Sequence, residues 1–384
     1  MKYKNILEII NYYSSAENFI GGQFTYFNEY GLNMHLICNQ HEDLKDFCHR
    51  HKVSYKAMKL TRGISPVADL KALVATCKYI KNHQIDTVIA HQLKGRIVGM
   101  IAAYLMRVPN RIMFAHGVSF DNTTGIKRKL LILFDRVITS LSTKVICVSQ
   151  SVANIRVNTH VDAPSKQFLL NKGTCNGIDA IDLFNPEKYG GSTIAHLKNK
   201  LGINKDDYVL GYCGRLVRDK GIIELVDAFV DLVDSVQDKD LKLLIIGDKD
   251  VRDGLPQKTI ETIKNHKHII FTGYVKRTEI APYYLLMDTF ILPSYREGFP
   301  TVVLEAMAMG IPVIVSKSTG CIDSILNGIN GLYTEIEKTD ICENVRKMFN
   351  DEYRRKLSSN CRPYVLQNFD NRIIWPYVLQ VIEQ

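Results

Sequence analysis

The sequence predicts an α/β protein with parallel sheets, built around two hydrophobic cores. From Ile6 onward, short apolar runs alternate with amphipathic helical stretches, the pattern of strands joined by crossover helices. The chain has 384 residues and is 46% hydrophobic, enough to bury two cores of ordinary size. The strand pattern also restarts at Tyr208–Tyr212, after a linker marked by Pro186, Gly190 and Gly191.

The first strand lies around Ile6–Ile10, followed by a loop from Asn11 to Gly22 and a helix through about Tyr30. Gly21-Gly22 does not make a GxGxxG pattern, so no nicotinamide fingerprint is present there. Met34–Cys38 reads as a strand and Val67–Asn82 as a helix. Thr87–Ala90 is a strand ending at His91, with Lys94 and Gly95 just after it, and Arg111–Ala115 is a strand ending at His116-Gly117. Ligands of open α/β sheets sit beyond the carboxyl ends of strands, where both histidines fall. The stretch Gly125–Leu141 carries Lys127, Arg128 and Lys129 ahead of Leu130, Leu131, Ile132, Leu133 and Phe134. Its composition favours a helix packed on a sheet, and it also suits a helix lying in a membrane interface. Val145–Val148, followed by Ser149, reads as a further strand.

In the second half, the strand Tyr208–Tyr212 runs into Gly214-Arg215-Leu216-Val217-Arg218-Asp219-Lys220-Gly221, ahead of a helix Ile222–Leu232. Arg offers a planar fork and Lys a point charge to phosphate oxygens. Further strands lie at Leu243–Ile246 and Ile269–Phe271, the second leading to Thr272-Gly273-Tyr274-Val275. The strand Asp288–Leu292 then enters Ser294–Gly310, the densest chemical stretch of the chain. A helix opens near Pro300 and Thr301 and stops at Gly310, so its first N–H groups offer a seat for a phosphate. Glu297 and Glu305 frame that seat, and a carboxylate beside a phosphate is best used on neutral hydroxyls such as those of sugar and ribose. Val313–Val315 is a strand, Asp340–Phe349 a helix, and Asn371–Glu383 the last helical segment.

No run approaches the roughly 18–20 apolar residues that span a bilayer. The start reads as a short basic lead into a strand, with no signal peptide. Nine scattered cysteines without CxxC pairs point to reduced thiols in a cytoplasmic protein and to no zinc site, with Cys213 a core residue. The net charge of +9 is uneven: residues 1–190 hold 24 Lys and Arg against 14 Asp and Glu. The excess is dense between Lys45 and Arg62 and again at Lys127–Lys129. A basic half suits nucleic acid, anionic lipid or a phosphate-bearing acceptor, or is simply a solvated surface. Aromatic-basic interleaving on a nucleic-acid module is missing, so no nucleic-acid partner is expected.

The Glu297–Glu305 stretch resembles the paired-glutamate motif of the retaining glycosyltransferases of family 4, and the likeness extends over nearly the whole chain. It is nearest to bacterial members that build capsule, O-antigen or glycan precursors on a lipid carrier. The resemblance implies GT-B architecture, two Rossmann-like doubly wound domains facing a central cleft. It places an acceptor-side domain at 1–190 and a donor-binding domain at 191–366, with a helix at 367–384 crossing back to the first domain. Asn176-Gly177-Ile178-Asp179 resembles the signature where the chain leaves the first domain. For donor binding, the resemblance implies Gly21, Gly22, Arg215, Lys220, Tyr274, Val275, Glu297, Gly298, Phe299, Pro300, Thr301, Val302 and Glu305. Arg215 and Lys220 would neutralise the diphosphate, Glu305 would hold ribose hydroxyls, Glu297 would orient the sugar, and His116 would act at the donor sugar. Many relatives have Gly-Gly and Glu where this chain has Gly320-Cys321 and Asp323, so donor preference does not carry over, beyond a lean to UDP.

The implied activity is transfer from a nucleoside diphosphate sugar to a glycan or lipid-pyrophosphate acceptor. It would proceed with retention, without cofactor or metal, in the cytoplasm or peripherally on the membrane's inner face. Two Asp-x-Asp triplets, Asp238-Lys239-Asp240 and Asp248-Lys249-Asp250, match a metal clamp formally but read better as turns. Rival readings are a nucleotide-sugar epimerase, a glycogen-type synthase, a non-catalytic sugar-nucleotide sensor and a nucleic-acid binder.

Overall fold

Parallel strands covered on both faces must be apolar almost throughout, and the central strands here are. The computed structural model describes residues 2–61, 63, 65–121, 123–249 and 254–384. The first sheet contains β1 (Asn5–Ile9), β2 (Asn33–Cys38), β3 (Ser54–Ala57), β4 (Thr87–Ala90), β5 (Asn110–Ala115), β6 (Lys144–Cys147) and β7 (Gln167–Leu169). The second contains β8 (Tyr208–Cys213), β9 (Leu241–Ile246), β10 (Ile269–Gly273), β11 (Thr289–Leu292), β12 (Val313–Ser316) and β13 (Gly331–Thr334). Their orders are β3-β2-β1-β4-β5-β6-β7 and β10-β9-β8-β11-β12-β13. Every named pairing is parallel. Strand order reverses between β1 and β4 and between β8 and β11, and those two crevices are where doubly wound sheets bind ligands.

The chain divides into two units, Met1–Gly177 with Arg372–Gln384, and Ile178–Asn371. The first boundary falls earlier than the expected 190. Ile178 N donates to Phe369 O at 2.9 Å and Ala180 N to Asp370 Oδ2 at 3.1 Å, which binds this segment into the second unit. Gly191 opens a helix, Gly191–Leu201, whose Ile194, Leu197 and Leu201 pack on the second core. The second boundary falls later than 366, because Phe369 is fully buried in that same core. The last helix, Asn371–Glu383, then belongs to the first unit. There Trp375 Nε1 donates to Asn176 O at 3.1 Å and to its Oδ1 at 2.8 Å, and Asn110 Nδ2 donates to Ile382 O.

Three local readings change. The helix expected after Gly22 is Gln23–Glu29, but the loop expected from Asn11 to Gly22 holds a helix of its own, Tyr13–Phe19, and the chain turns between the two where Gly21 adopts φ +42°. The basic region from Lys45 also holds a helix, Leu44–Arg50, and the edge strand β3, while Arg62 lies outside the described residues. The helix Gly125–Ser140 buries less than the sheet-packing reading requires. Leu131 and Ile132 pack on the core, but Ile126, Leu130, Leu133 and Val137 are 77%, 61%, 54% and 52% exposed. Their spacing puts these four on one stripe, with exposed Lys127 on one side and exposed Lys129 and Arg136 on the other. Among the described residues no helix is long and apolar enough to cross a membrane.

Ile374 is fully buried on the last helix. Ile374→Ala is expected to destabilise the first unit by about 2–5 kcal/mol. An unchanged urea transition would show that this helix is no part of that core.

Candidate active site

In the second unit, β8 is buried at every position and delivers the Gly214–Gly221 loop to the crevice beside β11. Lys220 ends a short turn, Arg218–Lys220, and Gly221 follows at φ +65° as the N-cap of the helix Ile222–Ser235. A Cβ at Gly221 would lie 1.9 Å from Pro293 O, so the loops after β8 and β11 touch backbone to backbone there. Asp219 O accepts from Tyr295 N at 2.9 Å and from Ser294 Oγ at 3.0 Å, which ties the same loops together.

This contact brings Lys220 Nζ onto Glu297 Oε1 in a direct ion pair whose side chains are only 19% and 13% exposed. Glu297 is held from a third loop as well. Its N–H donates to Thr319 O at 2.9 Å, and Gly320, at φ +77°, leaves no room for a Cβ against Glu297 O and Gly298 O. Arg215 is exposed on the same loop as Lys220, and its carbonyl accepts from Tyr212 OH at 3.1 Å. The helix Thr301–Ala308 begins just beyond Glu297, with Pro300 as N-cap and no side-chain cap, so its first N–H groups at Thr301 and Val302 face outward from the helix end. Phe299 packs against Phe369 at 5.3 Å.

Glu305 occupies a different environment. It is 3% exposed, and its two oxygens accept from Arg277 (2.7 Å) and Tyr284 OH (2.8 Å). Arg277 and Tyr284 were not anticipated; the Lys276-Arg277 pair in the loop after β10 was the available signal for the first. Burial, with Cys213 and Glu305 alongside, pushes the Tyr284 phenol well up, so it stays a donor. Burial likewise pushes the Cys213 and Cys321 thiols up to about 12, which suits inert core residues. Tyr274 is 71% exposed, whereas Val275 is half-buried against the core. In the Asp-x-Asp triplets, Asp240 O accepts from Tyr208 N and Asp248 Oδ1 from Lys249 N, while Asp250 lies outside the described residues.

In the first unit, His91 and His116 directly follow β4 and β5 and hydrogen-bond to each other at 2.8 Å. His91 also meets Glu8 of β1 at 2.8 Å. Glu8 too was not anticipated, although a lone acid inside Ile6-Leu7-Glu8-Ile9-Ile10 was a signal. Lys94 is buried in a pair with Asp69 at 2.7 Å. Gly21 and Gly22 both answer to packing: a Cβ would strike Glu17 O at the first and the Trp375 ring at the second.

Two family models match this chain. That of the glycosyl transferases group 1 matches residues 194–364, and that of the glycosyl transferase 4-like proteins matches residues 12–149. Both models describe glycosyltransferases, one falling within each unit, and the chain is a glycosyltransferase. The glycosyltransferase is 27% identical over 379 residues to the capsular polysaccharide biosynthesis glycosyltransferase CapM of Staphylococcus aureus, covering 98% of this chain and 96% of that one. It is 27% identical over 342 residues to the UDP-Gal:alpha-D-GlcNAc-diphosphoundecaprenol alpha-1,3-galactosyltransferase of Escherichia coli, covering 88% and 86%. Its fold matches that of Anabaena Alr3699/HepE in complex with UDP and glucose, with TM-score 0.81 and 18% identity, covering 99% of this chain and 100% of that one. The two sheets are those of a GT-B glycosyltransferase.

Gly320→Ala is expected to destabilise the second unit by about 1–3 kcal/mol, from the left-handed backbone and the forced contact with Glu297 O. A thermal transition equal to wild type would show that the loop yields freely.

Proposed function

We propose that this glycosyltransferase moves a sugar from a UDP-sugar to a lipid-pyrophosphate-linked glycan acceptor, with retained anomeric configuration and without a metal, during cell-surface polysaccharide synthesis. The observation that carries the reading is the Lys220–Glu297 pair, set at the strand-order reversal just ahead of a helix start that no side chain caps. An ammonium has three donors, so Lys220 can hold Glu297 with one and still direct others at diphosphate oxygens. Arg215 and the N–H groups of Thr301 and Val302 add fixed positive ends for the charge that builds on the leaving group. Glu297 keeps its second oxygen for a sugar hydroxyl. Glu305, clamped by Arg277 and Tyr284, retains one acceptor direction per oxygen for ribose hydroxyls. The role of His116 at the donor sugar rests on the resemblance of its His-Gly pair. Arg215 and Lys220 already supply the cationic charge that a metal would bring. The retaining outcome rests on the resemblance of the paired-glutamate motif, and the choice of UDP and of a lipid diphosphate on the names of the relatives.

The exposed stripe Ile126, Leu130, Leu133 and Val137, edged by Lys127, Lys129 and Arg136, supports a peripheral seat on an anionic membrane. Apolar side chains enter the acyl boundary while the flanking cations meet phosphate headgroups. Such a seat would bring the enzyme to an acceptor anchored in lipid.

Lys220→Ala is expected to lower kcat on the order of 10²–10³-fold, with transfer from UDP-sugars surviving EDTA and the product anomer matching the donor. An inverted anomer, or activity abolished by chelator and restored by a divalent ion, would overturn the corresponding part. Leu130→Glu combined with Leu133→Glu should abolish flotation with phosphatidylglycerol vesicles at low salt. Retained flotation would remove the helix from the membrane reading.

A further inference from the structure

Three polar side chains line up at the carboxyl ends of the central strands of the first sheet. Glu8 lies on β1 and is 1% exposed, His91 follows β4 and is 2% exposed, and His116 follows β5. Glu8 Oε2 lies 2.8 Å from His91 Nε2, and His91 Nδ1 lies 2.8 Å from His116 Nε2. The rings have little freedom. Phe114 stacks on His91 at 4.6 Å, and Phe19 and Phe114 stack on His116 at 5.1 and 5.6 Å. His91 N donates to Ile9 O, and Gly95 in the next helical turn lets that helix approach Ile9 O where a Cβ would clash. The chain of contacts ends at His116 Nδ1.

A neutral imidazole carries one donor and one acceptor, so the two hydrogen bonds must run in the same sense along the chain. With Glu8 as the acid, its O–H donates to His91 Nε2, His91 Nδ1–H donates to His116 Nε2, and His116 presents Nδ1–H. With Glu8 as the carboxylate, both bonds reverse and His116 presents a bare Nδ1. Burial selects between the two. Among the described residues no Lys or Arg pairs with Glu8, and a carboxylate shut away from water without a cation is far costlier than the acid. Arg96, which acts on His116, is itself paired with Asp135 at 2.9 Å. Burial accordingly drives Glu8 well above the usual carboxylate range and His91 down to about 3. Burial, with His91 and Arg96 beside it, lowers His116 as well.

We propose that Glu8, held as the neutral acid, and His91 are positioning residues that fix His116 in the Nδ1–H tautomer, so that His116 offers a hydrogen-bond donor and not a base. The tautomer stands on the geometry of the first unit alone; its effect on transfer rests on the reading of His116 as a sugar contact. A donor at this place fixes the sugar through one of its hydroxyl oxygens while the bond to the diphosphate breaks, whereas a bare nitrogen would accept from that hydroxyl and turn it the other way.

The test is a two-bond proton–nitrogen correlation spectrum of the whole chain with labelled histidine, His116 being assigned by the signals lost in His116→Gln. Wild type is expected to show His116 protonated on Nδ1. Glu8→Gln should keep that pattern, because an amide N–H donates to His91 Nε2 as the acid does. Glu8→Leu and His91→Phe should release His116 into a mixture of tautomers. Nε2 protonation in wild type, or a pattern that inverts in Glu8→Gln, would overturn the proposal, and neither result needs the leucine variant to fold. In transfer assays Glu8→Leu should lower kcat about tenfold or more with little change in KM, and Glu8→Gln should restore most of it. A correct tautomer with kcat indifferent to Glu8→Leu would leave the relay standing and count against His116 as a sugar contact.

Discussion

Backbone meets backbone at two glycines, and the second unit's site depends on it. A Cβ at Gly221 would lie 1.9 Å from Pro293 O, and one at Gly320 would lie 2.5 Å from Gly298 O. Both residues also sit at positive φ, where side chains are strained in any case. These approaches draw the loops after β8, β11 and β12 into one block. Within it Glu297 receives Lys220 on its side chain and donates its N–H to Thr319 O. A mostly buried ion pair is costly to form unless its geometry is imposed, and here three loops impose it. The fixed pair is what a developing diphosphate charge requires, since donors already in place need no reorganisation as the bond breaks.

The two glutamates of the motif have taken different work. Glu297 pairs with a lysine in the loop block, while Glu305 is buried on the helix and satisfied by Arg277 and Tyr284. Removing Arg277 would strand the Glu305 charge in the core, so this residue also holds the loop after β10 to the helix that begins at Thr301. Binding and architecture share one side chain there. The same economy appears in the first unit, where Gly22 gives room to Trp375 and His91 both caps a helix and bridges Glu8 to His116.

The charge pattern of the first half acquires meaning only with burial. Lys94 and Arg96 are buried in pairs with Asp69 and Asp135, so they contribute little to any surface field. The cations of the helix Gly125–Ser140 instead flank exposed apolar side chains. Composition alone could not separate these cases, because a helix packed on a sheet and one facing a bilayer are built from the same residues.

The sequence by itself determined the α/β class, the strand ends and the helix start at Pro300 and Thr301. Those features are written in local periodicity and in turn chemistry, which neighbouring residues decide. It also placed Arg215, Lys220 and Glu297 on strand-end loops, and His91 and His116 each at a strand end. Tertiary structure alone decided that Lys220 meets Glu297 across 77 residues, that Arg277 and Tyr284 engage Glu305, and that Glu8 stands at the head of two histidines. Such partners are chosen by strand order, as β8 lies beside β11 and β1 beside β4, and strand order leaves no mark within any one segment.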